Sequence, residues 1–261
     1  MKQYIVDAFA DELFTGNPAA VLPCRAFPAD ELMQKLAIEN NYSETAFVVK
    51  KEKGRYDLRW FTPGGEIDLC GHATLAASFV VSTFVDPDVT EMRFDTLSGE
   101  LIVTREGDLF TMDFPVGRSS LIPVTDAIQA AAGGLAKQAW YDGGDMVVVA
   151  ESERDVREFV PDGDRIKAVD GLGFILTAPG ETCDFVSRCF YPKLAILEDP
   201  VTGRAHTYTT PLWSRWLGKE TMTARQLSAR GGALTVCMAG ERVKISGRVQ
   251  LFMAGDIPFE L

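Results

Sequence analysis

Two carboxylates, two histidines and one thiol are the residues whose types and settings could do chemistry. Glu44 lies in Ser43-Glu44-Thr45, between a helical stretch and a strand. A lone loop glutamate is ordinarily a solvated charge, but held on a rigid scaffold it can serve as a general base. His72 follows Gly71 at the head of an apolar run. It is either a helix-capping or satisfied core histidine, or a donor of a proton to a reacting group. Asp199, in Glu198-Asp199-Pro200, either starts a turn, as Asp-Pro often does, or is a second acid facing Glu44. Two carboxyls in one confined site cannot both ionise easily, so one keeps its proton and acts as the acid. Cys70 is either a small buried residue or a thiol that moves a proton.

These residues must be positioned by the stretch Glu66 to Val81. After Thr74 it is almost wholly apolar, with no charged residue before Asp86. A helix apolar on all sides has to be enclosed on all sides. Its first turn, at Gly71-His72, leaves backbone N–H groups without internal partners, which suits an anion or carboxylate. The stretch has an echo. Phe61-Thr62-Pro63 ahead of Cys70-Gly71-His72-Ala73 is matched by Phe190-Tyr191-Pro192 ahead of Thr202-Gly203-Arg204-Ala205. The two glycines are 203 − 71 = 132 positions apart, about half the chain, and the only histidines, His72 and His206, lie within three residues of them. Such self-similarity reads as internal duplication. It predicts two domains, 1–116 and 117–249, with Gly117-Arg118-Ser119-Ser120 as linker.

Around these helices the chain reads as short strands: 4–9, 19–22, 45–49, 56–61, 100–105, 109–114, 137–142, 145–150, 174–177, 185–190, 233–238, 241–246 and 248–253. Further helices are expected from Pro28 to Asn40, with Leu32, Leu36 and Ile38 on the apolar face, and at 123–132 and 152–159. Each half is then an α+β domain, a curved sheet rolled around one helix, and two such halves aim their helix N-termini at a shared cleft, where small-molecule sites usually form. The repeat pairs Cys70-Gly71 with Thr202-Gly203. A racemase working with one thiol on each side of a carbon therefore lacks its second thiol.

The net charge of −11 argues against nucleic acid or an anionic membrane as partner, since both need a basic face. There is no run of about eighteen apolar residues to span a bilayer, and the first residues, Met1 to Asp7, contain no signal-like apolar core. Five cysteines without Cys-x-x-Cys spacing fit a reducing cytoplasm and speak against a zinc site or a disulfide framework.

Asn17-Pro18-Ala19, Ser43-Glu44-Thr45, Asp68 to Thr74, Glu198 to Gly203 and Arg230-Gly231-Gly232, in that order, resemble the motifs of the phenazine-biosynthesis PhzF family. The resemblance implies the diaminopimelate-epimerase fold: two similar domains, each a barrel-like, mostly antiparallel sheet around a central helix, the first completed by the last strand at about 250–261. It implies a cytoplasmic isomerase acting without cofactor or metal on a small carboxylate-bearing substrate, and suggests a homodimer. Carried over residue by residue, Glu44 is the general acid/base, with His72 and Asp199 assisting. Ser43, Gly71, Ala73, Gly203, Arg204, Gly231 and Gly232 fall at substrate-binding positions. One residue departs from the pattern. Family members usually have Ser where this chain has Arg204, and arginine brings bulk and fixed charge. It would clamp a second carboxylate, pair with Glu44 or Asp199, or block the cleft. The rival readings are an amino-acid epimerase of the same fold and a non-catalytic binding protein plugged by Arg204.

Overall fold

The computed structural model describes residues 1–258, and the chain divides into two compact units. Unit 1 is Met1–Asp113 together with the chain from Ser246 onward; unit 2 is Phe114–Ile245. The change of unit thus falls three residues earlier than 116, and the return begins at Ser246 rather than near 250. Of the expected closing segment 250–261, residues 259–261 lie outside the described residues.

Unit 1 runs β1 (Lys2–Ala8), β2 (Asn17–Cys24), α1 (Asp30–Asn40), β3 (Glu44–Glu52), β4 (Arg55–Thr62), β5 (Gly65–Ile67), α2 (Gly71–Val80), β6 (Glu91–Thr96), β7 (Gly99–Glu106) and β8 (Leu109–Pro115). Unit 2 continues with β9 (Ser120–Ile122), α3 (Asp126–Ala131), β10 (Gln138–Tyr141), β11 (Met146–Val149), α4 (Glu153–Glu158), α5 (Gly163–Lys167), β12 (Phe174–Pro179), β13 (Phe185–Tyr191), β14 (Ile196–Asp199), α6 (Gly203–Leu217), β15 (Thr221–Gln226), β16 (Gly232–Ala239) and β17 (Arg242–Gly247). Finally β18 (Val249–Asp256) pairs antiparallel with β1 inside unit 1.

The duplication is visible in the strand pairing. In unit 1, β1–β2 is antiparallel, β2–β3 parallel, β3–β4 and β4–β5 antiparallel, β4–β6 parallel and β6–β7 antiparallel. In unit 2, β10–β11, β11–β12, β12–β13, β13–β14, β13–β15 and β15–β16 repeat that series in the same order and sense. A parallel neighbour needs a crossover, usually a helix. Accordingly α1 joins β2 to β3, α2 lies between β4 and β6, and α4–α5 and α6 take the matching places in unit 2.

Burial follows the residue pattern. In β4 Tyr56, Leu58 and Trp60 alternate inward, as period-two spacing requires. In α1 the buried stripe is Met33, Leu36 and Ala37, the i, i+3, i+4 set. Ile38, expected on that face, is 53% exposed because it lies one step around the helix. In α2 every residue from His72 to Ser78, and Val80, is buried. It packs against β1, β2, β3 and β18. Its hydroxyls bond back along the helix, Thr74 to the Cys70 carbonyl, Ser78 to Thr74 and Ser82 to Ser78, so no hydroxyl donor in this series is stranded. The apolar run ends in one π turn, Val81–Val85, stopped at Asp86.

The expected linker is a docked segment. Pro211 sits inside α6 and has no N–H, which releases the carbonyl four residues back. That carbonyl, of Thr207, accepts the N–H of Gly117 instead, at 3.1 Å. A side chain at 117 would meet Tyr208 Cδ1 at 2.7 Å and Thr207 Oγ1 at 2.8 Å, so glycine is required by the close approach. Ser120 then begins β9.

Candidate active site

The catalytic candidates of unit 1 converge at the mouth of α2. The turn before β2 closes on Gly16, whose φ of +73° and 2.3 Å clearance to the Ala8 carbonyl admit no side chain. Asn17 follows as the first residue of β2 and is fully buried. Asn41 ends α1 in the left-handed conformation, after which Glu44 opens β3 opposite Ala19. Glu44 and His72 retain only 8% and 6% of their surfaces.

The imidazole lies between its neighbours. Its Nε2 is 2.9 Å from Glu44 Oε2, and its Nδ1 is 3.2 Å from Asn17 Nδ2 and 3.5 Å from Cys70 Sγ. The Glu44 contact is close but off-line: Oε2 and Nε2 are both buried, and neither meets hydrogen-bond geometry. We read it as an electrostatic pair whose directional bonding capacity is unspent. Burial works against a charged imidazole, but the charge of Glu44, with the Cys70 sulfur beside the other nitrogen, holds His72 well above its ordinary pKa. Burial first, and then the charge of Glu44, push the Cys70 thiol up to about 11. The thiol is therefore uncharged at neutral pH, and Glu44 is the neighbour that stabilises the imidazolium. Cys70 is the N-cap residue of α2; the first-turn N–H groups that follow have no partner within the helix itself, and that of Ala73 faces the Cys70 sulfur.

Glu44, Cys70 and His72 each offer a ligand atom within 4.8 Å of the others. Their directions do not suit one ion. Glu44 lies at the Nε2 end of the ring and Cys70 at the Nδ1 end, and a metal sits about 2.0 Å out along a single nitrogen lone pair. An imidazole between an acid and a thiol is arranged to pass or hold a proton.

In unit 2, Asp199 ends β14 opposite Cys189. Its carboxylate accepts the hydroxyl of Thr202, the residue that caps α6. Gln226, with no exposed surface, accepts the Thr202 N–H at 2.9 Å and donates to the Asp199 carbonyl at 2.7 Å. Gly231 and Gly232 make the turn into β16, Gly231 with a φ of +66°. Ser228 in that turn donates to the Pro200 carbonyl at 2.8 Å, which ties the glycine pair to the Asp199–Gly203 loop. His206 is fully buried, with Nδ1 2.8 Å from the Thr202 carbonyl, and burial pulls its pKa down to about 4. It is a neutral core histidine.

Arg204 has a different partner from those expected. Its Nε donates at 2.9 Å to Oδ2 of Asp145, a carboxylate with no exposed surface, rather than pairing with Glu44 or Asp199. Asp145 also accepts the Gly173 N–H at 3.1 Å and the Tyr191 hydroxyl at 3.2 Å. Asp145 and Gln226 were not legible as site residues, and Asn17 was visible only as part of a motif. The signal for Asp145 was the repeat itself: Gly144-Asp145 before β11 matches Gly16-Asn17 at the start of β2.

No helix among the described residues is long and apolar enough to cross a membrane. The profile of the phenazine biosynthesis-like proteins, PhzC-PhzF, matches residues 6–255. An uncharacterised isomerase of Pseudomonas aeruginosa is 47% identical over 97% of this chain and 96% of its own. The crystal structure of a PhzF-family protein from Enterococcus faecalis superposes with a TM-score of 0.95 at 45% identity, covering 99% of both chains. A hydroxyproline epimerase from Agrobacterium vitis, 12% identical, shares the fold with a TM-score of 0.62 over 98% of this chain and 91% of its own. Family and fold together support an isomerase-type role. With its profile matched almost end to end, the chain belongs to the phenazine biosynthesis-like PhzF family.

Proposed function

We propose that the protein is a cofactor-independent isomerase that moves a proton within a small carboxylate-bearing substrate. The observation that carries this reading is the buried Glu44–His72 pair, whose facing atoms approach to 2.9 Å without an aligned hydrogen bond. Glu44 Oε2 has no aligned hydrogen-bond donor among the described residues, so the carboxylate keeps acceptor capacity for a substrate proton. Glu44 takes the proton and returns it to another atom of the same molecule. His72, held protonated by its surroundings, stabilises the negative charge that develops. The first-turn N–H groups at Gly71 and His72 receive the substrate carboxylate, and Asp199 is assigned the part of second acid.

An epimerase using Cys70 as its base is less well supported, since a thiol pushed up to about 11 is rarely ionised near neutrality. Deuterium wash-in, followed by NMR across a panel of cyclic carboxylic and amino acids in heavy water, separates the two. Exchange should fall about 10²–10⁴-fold in Glu44→Gln and persist in Cys70→Ala. Exchange that survives in Glu44→Gln overturns the assignment of Glu44; loss confined to Cys70→Ala moves the chemistry to the thiol.

A further inference from the structure

At its C-terminal end, away from Gly71, α2 widens into the π turn Val81–Val85, the only π turn among the described residues. Such turns are rare and often mark functional positions. This one is held from several sides. The Asp86 N–H donates to the Val81 carbonyl at 2.8 Å, the Asp86 carboxylate accepts the Tyr56 hydroxyl and the Lys50 ammonium, and Arg105 donates to the Ser82 carbonyl at 3.0 Å. The turn so fixed leaves Phe84 43% exposed, its ring stacked on Tyr4 with 4.5 Å between centroids and 18° between planes.

Tyr4, Phe84 and Val85 line a cavity of about 920 Å³, together with residues 23–29 at the end of β2 and in the loop after it. All of this lies within unit 1, and the volume is that of a small-molecule site. Phe27 in the loop is steadied by the Arg59 guanidinium, 5.5 Å from its ring centroid. The charged residues of the lining are Lys2 and Arg25, with no acid among the described residues that line it, in a chain of 37 acidic and 26 basic side chains. Lys2 is engaged by Asp256 at 2.7 Å. Arg25 has neither a hydrogen-bond acceptor nor an ion-pair partner among the described residues. Burial pushes the Cys24 thiol up to about 11, so it adds no negative charge to the lining.

From this arrangement we infer that the cavity is a binding site for an aromatic carboxylic acid, whose ring lies against Phe84 and whose carboxylate takes Arg25. An aromatic ring held on a fixed backbone offers offset or edge contact to a second ring, and a guanidinium offers two parallel N–H groups to a carboxylate. A lone exposed arginine is ordinarily a solvated charge; here it stands on an aromatic cavity that carries no acid. A neutral apolar ligand leaves Arg25 unused, and an inorganic anion leaves the aromatic walls wet. An aromatic acid satisfies both. Gly71 and Phe84 are 84 − 71 = 13 positions apart, roughly 20 Å along a helix at 1.5 Å per residue, so the site is separate from the mouth of α2. It stands independently of the proposed function.

Calorimetric titration of the full chain with 2-naphthoate, and with 2-naphthamide as its uncharged counterpart, tests the site. The acid should bind about 10–100-fold more tightly than the amide, the range for hydrogen bonds to a charged group. Arg25→Gln should bring that ratio to about one and leave the amide affinity in place, whereas Arg25→Lys, which keeps the charge without the fork, should retain part of the preference. Phe84→Ala, at a position open to solvent, should weaken both probes about 3–10-fold. Glu44→Gln, at the other end of α2, should change neither. Undetectable binding of 2-naphthoate, equal affinities in the wild type, a ratio unchanged in Arg25→Gln, or affinities unchanged in Phe84→Ala each overturns the assignment. Binding lost in Glu44→Gln would put the probe in the candidate active site and overturn it as well. If proton exchange proves independent of Glu44 while the Arg25 preference stands, the catalytic reading has failed and this site has not.

Discussion

Asp145 accepts Nε–H of Arg204 at 2.9 Å from a position with no solvent exposure of its own. That contact converts a flexible surface arginine into a directed one. It also makes Asp145 a structural liability. Asp145→Ala would strand the Gly173 N–H and the Tyr191 hydroxyl inside the unit. Two unsatisfied buried donors cost about 2–5 kcal/mol together. Urea unfolding should show this loss, with Asp145→Asn, whose amide oxygen can still accept, losing less.

His72 and His206 are the only two histidines, which makes their titration readable by NMR. His72 is held well above its ordinary value and His206 is pulled down to about 4, so they act on stability with opposite signs. For His72 the folded pKa is the higher, so its contribution is complete below about pH 6.5, the unfolded value. It is lost as pH rises through the folded value. For His206 the folded pKa is the lower, so its contribution is present above about pH 6.5 and lost as pH falls through about 4. One imidazole should therefore titrate above 6.5 and the other near 4. Glu44→Gln should move the upper transition down and leave the lower one in place. A single transition near 6.5 for both rings would contradict these environments.

Gly117 was read as linker and is an anchor. Its N–H takes the carbonyl that Pro211 releases, and any Cβ there would overlap the Tyr208 ring. Gly117→Ala should cost about 1–3 kcal/mol through overpacking and lower the melting temperature. Pro211→Ala restores a competing N–H inside α6, so it should weaken the Gly117 bond while straightening the helix. Amide exchange at Gly117 reads that directly.

The contrast between Gly117 and α2 shows what the sequence could carry. That α2 is enclosed was legible because apolar residues fill every face of it, and the duplication because aromatic-x-Pro and Gly-x-Ala recur at fixed spacing. Glu44 and His72 could be named because each sits within a short motif. Asp145 and Arg204 are 59 positions apart, and no local pattern joins them; only strand order brings β11 and the head of α6 together. Strands as short as β5 and β14 are too brief for a period to show. Ile38 was misplaced because one residue's shift in α1 rotates the stripe by about 100°.

Gln226 joins the loop that carries Asp199 to the start of α6, and two substitutions can dissect it. Gln226→Leu keeps most of the volume but strands the Thr202 N–H and the Asp199 carbonyl, which Gln226 bonds at 2.9 Å and 2.7 Å. The loss should be about 2–5 kcal/mol at every pH where the protein folds. Gln226→Glu keeps an acceptor for Thr202 but loses the donor to the Asp199 carbonyl. It also buries a carboxyl near that of Asp199, and both effects favour the protonated form of the new side chain. Its folded pKa should then lie above the unfolded value of about 4.3. A carboxyl shifted upward contributes most below that value and loses its contribution as pH rises through the folded pKa. Relative to the wild type, Gln226→Glu should therefore melt closest to normal in mild acid and fall progressively behind towards pH 8, whereas the Gln226→Leu deficit stays flat. Thermal melts of the three proteins across that range decide it. Parallel pH profiles for both variants would show that Gln226 fills space without holding the Asp199 loop to α6.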